Sequence, residues 1–336
     1  MKPHRSEHGF SMVELMIALV LGLMIVAAVM QTFIGTKRSY ELQDDLSRVQ
    51  ENGRFAMEYL KRDIRQADFW GCLTGALGNI TNNLDASVDT TLFSMAEGVS
   101  GAEGSGYQTD ITKLGAAILS DMIVLRGGAD SGFGVLPPYM PSPSGTVKID
   151  PAATLEKGEI VLLSDCTQGD IFQISNDPET GNAGHDEVNH GTGNIIVNGN
   201  TVSPGNINNG LSKKYTGDAR LFKAGTTTFE VKLNSFGEPA LYRNGTEELV
   251  EGVESMQIEY GIDIDNDRIP NYFNDFDASE VDAAVSVRIS LLVRGHKENV
   301  ADTNMALSYD GASFPTQDRR LRKVFTTTIA LRNRLK

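Results

Sequence analysis

One carboxylate stands where a carboxylate is costly. Glu14 opens a run from Leu15 to Met30 that holds no charged residue, and the apolar character extends from Phe10 to Gly35. Those 26 residues would make a helix of about 39 Å at 1.5 Å per residue, and roughly 20 suffice to cross a bilayer. An ionisable group inside such a segment costs on the order of a few kcal/mol and calls for a partner. A cut between Gly9 and Phe10 would create one. The new α-amino group would sit on Phe10, four residues before Glu14, in the same chain or a neighbouring one. Lys2 and Arg5, ahead of the apolar run, keep the leader cytoplasmic by the positive-inside rule. An ordinary secretory signal is cut behind small residues after its apolar region, and Ala18, Gly22, Ala27 and Ala28 do not make such a site with a polar start behind it.

Two other groupings have ligand-like spacing. Asp263, Asp265 and Asp267 form a D-x-D-x-D run whose alternate side chains can converge on a calcium ion. The run departs from the EF-hand loop, with Arg268 in place of the turn glycine and Asn274 in place of the bidentate glutamate. Asp275 and Asp277 could contribute from a following turn, and the alternative is a solvated acidic turn closing a hairpin. His185 and His190 flank Asp186 and Glu187, but a spacing of five in a glycine-rich stretch is not that of a helical H-E-x-x-H site. No nucleophile elbow, phosphate loop or paired catalytic acids occur, so no enzyme and no required cofactor are expected. Arg319, Arg320, Arg322 and Lys323 read as a polar entry to the last strand rather than a ligand site.

At Gly9, Phe10 and Glu14 the chain resembles the type IV prepilins, which share a short basic leader, Gly at the cut, an aromatic first mature residue and Glu at mature position five. The resemblance implies cleavage and N-methylation by a prepilin peptidase at the inner membrane. Further along, the chain resembles the PilW type of minor pilin. The similarity lies in the length of the head, in Trp70-Gly71-Cys72, in Gly158 to Cys166, in Met256 to Asp263 and in the closing Val324 to Asn333. The J-type minor pseudopilin of type II secretion is the nearest competing relative.

The chain has 336 residues, 30 basic and 44 acidic, for a net charge of −14. Without the leader's Lys2, Arg5 and Glu7 the balance is 28 against 43, or −15. An acidic surface argues against direct nucleic-acid binding, which needs clustered Lys and Arg. Cys72 and Cys166, the only cysteines, both lie on the non-cytoplasmic side of the apolar segment. In an oxidising compartment an even pair reads as a disulfide, the alternative being two buried thiols.

The elements that must position these groups follow from periodicity. Leu42, Leu46, Val49, Gly53, Ala56, Leu60 and Ala67 make a narrow stripe that continues the helix to about Gln66. Gly22, Ala27 and Ala28 allow close helix approach in lipid. Beyond Gly71 strand signals take over: Val285 to Arg294 and Met256 to Ile262 alternate with one apolar face each. Further strands are expected at Met122–Arg126, Glu159–Ser164, Ile171–Ser175, Thr227–Asn234 and Val324–Arg332. Glu97–Gln108 and Asn176–Asn209, dense in Gly, Ser, Asn and Asp, read as loops or insertions. The expected class is α+β: a leader at 1–9, a membrane or filament-core half-helix at 10–35, an amphipathic half at 36–67 and a β-rich head at 68–336, its sheet mostly antiparallel.

The reading that results is a minor pilin that helps prime pilus assembly and sits in the tip complex, supporting twitching motility, adhesion and DNA uptake. Its expected partners are the prepilin peptidase, other minor pilins, the major pilin and a large tip adhesin. Its expected place is the inner membrane, as a single-pass protein with a periplasmic head, and then the surface pilus. The rivals are a secretion pseudopilin, an adhesive module binding surfaces through its Asn/Gly-rich loops and, with no recognisable site, an anchored hydrolase.

Overall fold

The computed structural model describes residues 11–73, 79–93, 95, 97–106, 108, 118–151, 154–178, 184–301 and 303–335. The long helix, α1 (Met12–Gln66, 55 residues), begins at a capping box. Ser11 accepts a hydrogen bond from Val13 N, and Ser11 N donates to Glu14 Oε2 at 3.1 Å, so two otherwise orphaned amides are satisfied. The helix stops where Ala67 turns extended and Asp68 adopts a left-handed φ of 60°. Asn333 donates to the terminal carbonyls of Gln66 and Ala67 at 3.3 and 2.9 Å, filling acceptors that a helix end leaves open.

From Met12 to Tyr40 every residue of α1 is exposed. The buried stripe is Asp45, Val49, Gly53, Ala56, Leu60 and Ile64. This corrects the lower end of the expected stripe: Leu42 and Leu46 are exposed, and Asp45 is buried in their stead. A spacing of 3.5 drifts against the 3.6 of a straight helix, so the face that meets the head over Val49–Ile64 has rotated away from Leu42 and Leu46.

The strands follow in chain order: β1 (Ile80–Asn82), β2 (Val99–Ala102), β3 (Met122–Gly134), β4 (Val147–Ile149), β5 (Ile160–Ser164), β6 (Gly169–Gln173), β7 (Asp186–Val188), β8 (Gly193–Val197), β9 (Asn200–Asn206), β10 (Arg220–Leu233), β11 (Pro239–Arg243) and β12 (Glu247–Glu251). They continue with β13 (Val253–Ile262), β14 (Tyr272–Asn274), β15 (Ala284–Arg294), β16 (Ala306–Tyr309), β17 (Ala312–Pro315) and β18 (Arg322–Ala330). One sheet runs β1-β6-β5-β10-β11-β12, with β3 also on β10 and β2 on β3; a second runs β14-β13-β15-β18. Among the described residues only β1 and β6 pair in parallel; the other named pairs are antiparallel. The α+β expectation therefore stands.

Leu60 and Ile64 of α1 meet Phe229, Val231, Ile258, Tyr260, Val287 and Ile289 in one core that both sheets share. A second core around Phe172, Tyr215 and Leu221 fills the outer part of the head. Two expectations change. Asn176–Asn209 is not loop throughout, since it holds β7, β8 and β9, and β2 lies within Glu97–Gln108. The polar insertion is held by side-chain amides: Asn206 accepts from Gln173 N and donates to Gln173 O, both at 2.7 Å, in the manner of a neighbouring strand. Second, β15 is buried on both faces rather than one, because Leu292 packs against Ile118, Leu307 and Tyr309.

Candidate functional site

Glu14 lies on a helix surface with no head residue over it. Its carboxylate folds back onto the amide of Ser11, the second residue after the proposed cut, and Leu15, Ala18, Leu19 and Gly22 line the same face. The cut itself, at Gly9 and Phe10, lies outside the described residues. Thr32 and Thr36 return their hydroxyls to the carbonyls of Ala28 and Thr32 at 3.0 and 2.9 Å, so the apolar half leaves few unsatisfied side-chain polar groups to lipid.

At the far end of α1 the chain folds back on itself. Cys72 and Cys166 form a disulfide with Cα atoms 4.8 Å apart, joining the segment after α1 to the β5–β6 turn. Close by, Arg334 sets its Nε 2.5 Å from Asp68 Oδ2, and Trp70 Nε1 donates to Asp68 Oδ1 at 2.6 Å. The last residues thus lock the helix end to the head.

The basic cluster near the last strand is not a surface entry. Arg322, with a fully buried side chain, sits 2.7 Å from Glu254 and 2.6 Å from Asp318. Arg294 pairs with Glu254 at 3.2 Å and with Glu238, while Arg320 reaches Glu238, Glu298 and Asp318. Burial works against the charge of Arg322, but the hydrogen bonds and charges of Asp318 and Glu254 outweigh it and hold its pKa above the ordinary arginine value. Sequence reading missed this network because two of its carboxylates, Glu238 and Glu254, lie 56 and 68 residues along the chain from Arg294 and Arg322. Arg319 stays outside it, bonded to Asn299 at 2.7 Å, and Lys323 is exposed.

Asp263, Asp265 and Asp267 do converge, each offering an oxygen within 4.8 Å of the others. Asp263 is buried, yet its oxygens already accept the amides of Asp267 and Arg268 at 3.3 and 2.7 Å, and those bonds outweigh burial to lower its pKa. Asp265 and Asp267 are exposed. The two histidines part company: His185 lies 3.6 Å from Glu187, whereas buried His190 packs on Phe172 and bonds to the carbonyl of Gly145.

Residues 4–30 match the prokaryotic N-terminal methylation motif, and residues 228–333 match type IV pilus-assembly protein W, a span from β10 to the end of the head. The two matches support a PilW-type, prepilin-like pilin. Nothing among curated proteins and nothing among solved structures matches the chain. In a pilin the exposed apolar half of α1 is the inner-membrane anchor, and the family implies work with a prepilin peptidase and other pilus components.

Proposed function

We propose that this pilin is a minor subunit that helps prime type IV pilus assembly and remains in the tip complex. The supporting observation is the pairing of a fully exposed apolar half-helix, headed by Glu14, with a large head whose carboxyl-terminal third matches the pilus-assembly family. On this reading assembly, not turnover, is the mechanism. Prepilin peptidase cuts between Gly9 and Phe10 and methylates the new amine; Glu14 compensates that amine in its own chain or the next. The head faces the periplasm until the subunit is drawn from the inner membrane, and then contacts other minor pilins, the major pilin and a large tip adhesin. Twitching motility, adhesion and DNA uptake depend on the pilus that results. No cofactor enters this scheme.

Deletion of the gene, scored for surface pili and for type II secretion side by side, tests the proposal. Loss of pili with secretion intact is expected. Loss of secretion with normal pili would assign the chain to the other machine, and normal pili with lost attachment would make the head an adhesive module. Mass spectrometry of the mature protein is expected to find methylated Phe10 first. Glu14→Ala is expected to be processed and inserted yet depleted from sheared pili.

A further inference from the structure

The second sheet ends in a strand with a bare edge. Leu331 N donates to Val285 O and Gly295 N to Leu321 O, and the β15–β18 register runs without a shift from Ser286↔Ala330 to Arg294↔Arg322. Odd-numbered positions of β18 therefore bond β15, since hydrogen-bonded pairs alternate in an antiparallel ladder. The amides and carbonyls of Val324, Thr326, Thr328 and Ala330 point the other way. Among the described residues none of them has a hydrogen-bond partner. Nine residues long, without proline and rich in Val, Phe, Thr and Ile, this edge lacks the devices that usually prevent pairing, apart from Lys323 at its start. The opposite edge of the sheet, β14, is only three residues long.

The same edge runs into a basic cleft. Ala330 and Arg332 lie with Lys61, Arg62, Arg65 and Glu58 of α1 around a space of about 1150 Å³. Arg62 is held by Asp63 at 3.0 Å, but Lys61, Arg65 and Arg332 have no ion-pair partner among the described residues. Three cations without an ion pair, against the one carboxylate of Glu58 among the described lining residues, leave the cleft net positive on a chain of net charge −14.

We propose that the outer edge of β18 docks an extended acidic segment of a neighbouring subunit, which adds to the sheet as a fifth strand and sets its carboxylates against Lys61, Arg65 and Arg332. Backbone hydrogen bonds give such an addition its affinity and side-chain charge its choice of partner. The inference rests on the pilus reading for where the neighbour comes from, not for the chemistry of the edge.

The test uses the full mature chain in detergent micelles and a labelled nine-residue peptide alternating valine and glutamate, with a valine–lysine peptide as control. The acidic peptide is expected to bind, more weakly as salt rises, and the lysine peptide at least tenfold more weakly. Thr328→Pro removes an outward amide that β15 does not use, a position where an edge strand tolerates proline. It is expected to cut affinity at least tenfold with the melting midpoint unchanged. Lys61→Glu with Arg65→Glu, at a half-buried and an exposed helix position, is expected to reverse the preference to the lysine peptide, and this variant decides the matter if the proline variant melts early. Equal binding by the proline variant at an unchanged midpoint, equal binding of the two peptides, or no binding at millimolar peptide would overturn the proposal. A deletion strain with normal pili would overturn the function proposed above while leaving peptide binding standing; absent binding beside a loss of pili would overturn the strand addition alone.

Discussion

The ring of Phe325 in β18 lies directly over Gly53 of α1, so close that a Cβ built on Gly53 would overlap three of its ring atoms. Glycine in a helix interior costs about 1 kcal/mol relative to alanine, and here it lets the helix approach the sheet. Gly53→Ala recovers that propensity but overpacks the contact, at about 1–3 kcal/mol. It is expected to lower stability in the natural chain and to raise it by about 1 kcal/mol in a Phe325→Ala background. Denaturant midpoints for the four chains check this, and equal effects of Gly53→Ala in the two backgrounds would contradict it.

How much of this contact could be read in advance differs by element. Gly53 fell on the expected stripe with Val49, Ala56 and Leu60, because helical period is a local property. Asp45 did not: it is buried because His296 N, 251 residues away, donates to it at 3.1 Å, and no local pattern marks such a partner. The long strands were visible through alternation, whereas β7, β8 and β9 are only three to seven residues long, and β9 is tied to β6 by the side-chain amide of Asn206. Glu14 was legible because lipid makes a lone carboxylate conspicuous. The basic cleft was not, since Arg332 joins Lys61 and Arg65 only after the chain has turned back.

Cys72 and Cys166 close a loop of 94 residues. In the chain-entropy account a bridge across about 100 residues contributes roughly 4–5 kcal/mol, and removal of native bridges typically costs about 2–5. Cys166→Ser is expected to lower the melting midpoint of the mature chain by many degrees, and non-reducing peptide mapping should find the two cysteines joined. A reductant that leaves the midpoint unmoved would show that the bridge carries no stability.

Arg322 and Glu254 test a different balance, since both side chains are essentially inaccessible. Removing one member strands the other, at about 3–5 kcal/mol, while replacing a whole buried ionic set with apolar residues is often neutral. Arg322→Met is therefore expected to cost more than Arg322→Met combined with Glu254→Leu, although the second partners Asp318 and Arg294 keep the recovery incomplete. Urea unfolding of the natural chain, of Arg322→Met and Glu254→Leu singly and of the double variant decides it, and a double variant as unstable as the sum of the singles would refute coupling.

The acidic turn yields a prediction for calcium. Both oxygens of Asp263 already cap backbone amides, and Asn271 Oδ1 accepts Ile264 N at 2.8 Å, so the turn is closed without an ion. Melting in millimolar calcium and in chelator is expected to coincide, with Asp265→Ala indifferent to both. A midpoint raised by calcium, and no longer raised after Asp265→Ala, would establish a site, because a ligand that binds only the folded chain stabilises it by mass action.

Glu103 and Asp121 give the head its acid-side dependence. Glu103 accepts the amide of Phe276 at 2.8 Å, while Asp121 accepts Gly104 N and Ile258 N at 3.0 and 2.9 Å. Glu103 is exposed as a residue, but partial desolvation of its carboxyl, then the neighbouring charges of Asp121 and Asp275, push that group up to about 7; burial also raises Asp121. A carboxyl whose folded pKa exceeds its unfolded value contributes stability that is fully present below about pH 4.3 and is lost as pH rises through the folded value. Between roughly pH 4.5 and 7 the Glu103 contribution should therefore decline, opposite in sign to that of Asp318, whose carboxyl is lowered by Arg322 despite burial and whose contribution is lost only below about pH 4. Glu103→Gln keeps the acceptor for Phe276 N and removes the titration, so it is expected to flatten the fall in melting midpoint from pH 5 to 8. A variant whose midpoint tracks the natural chain across that range would remove Glu103 from the account.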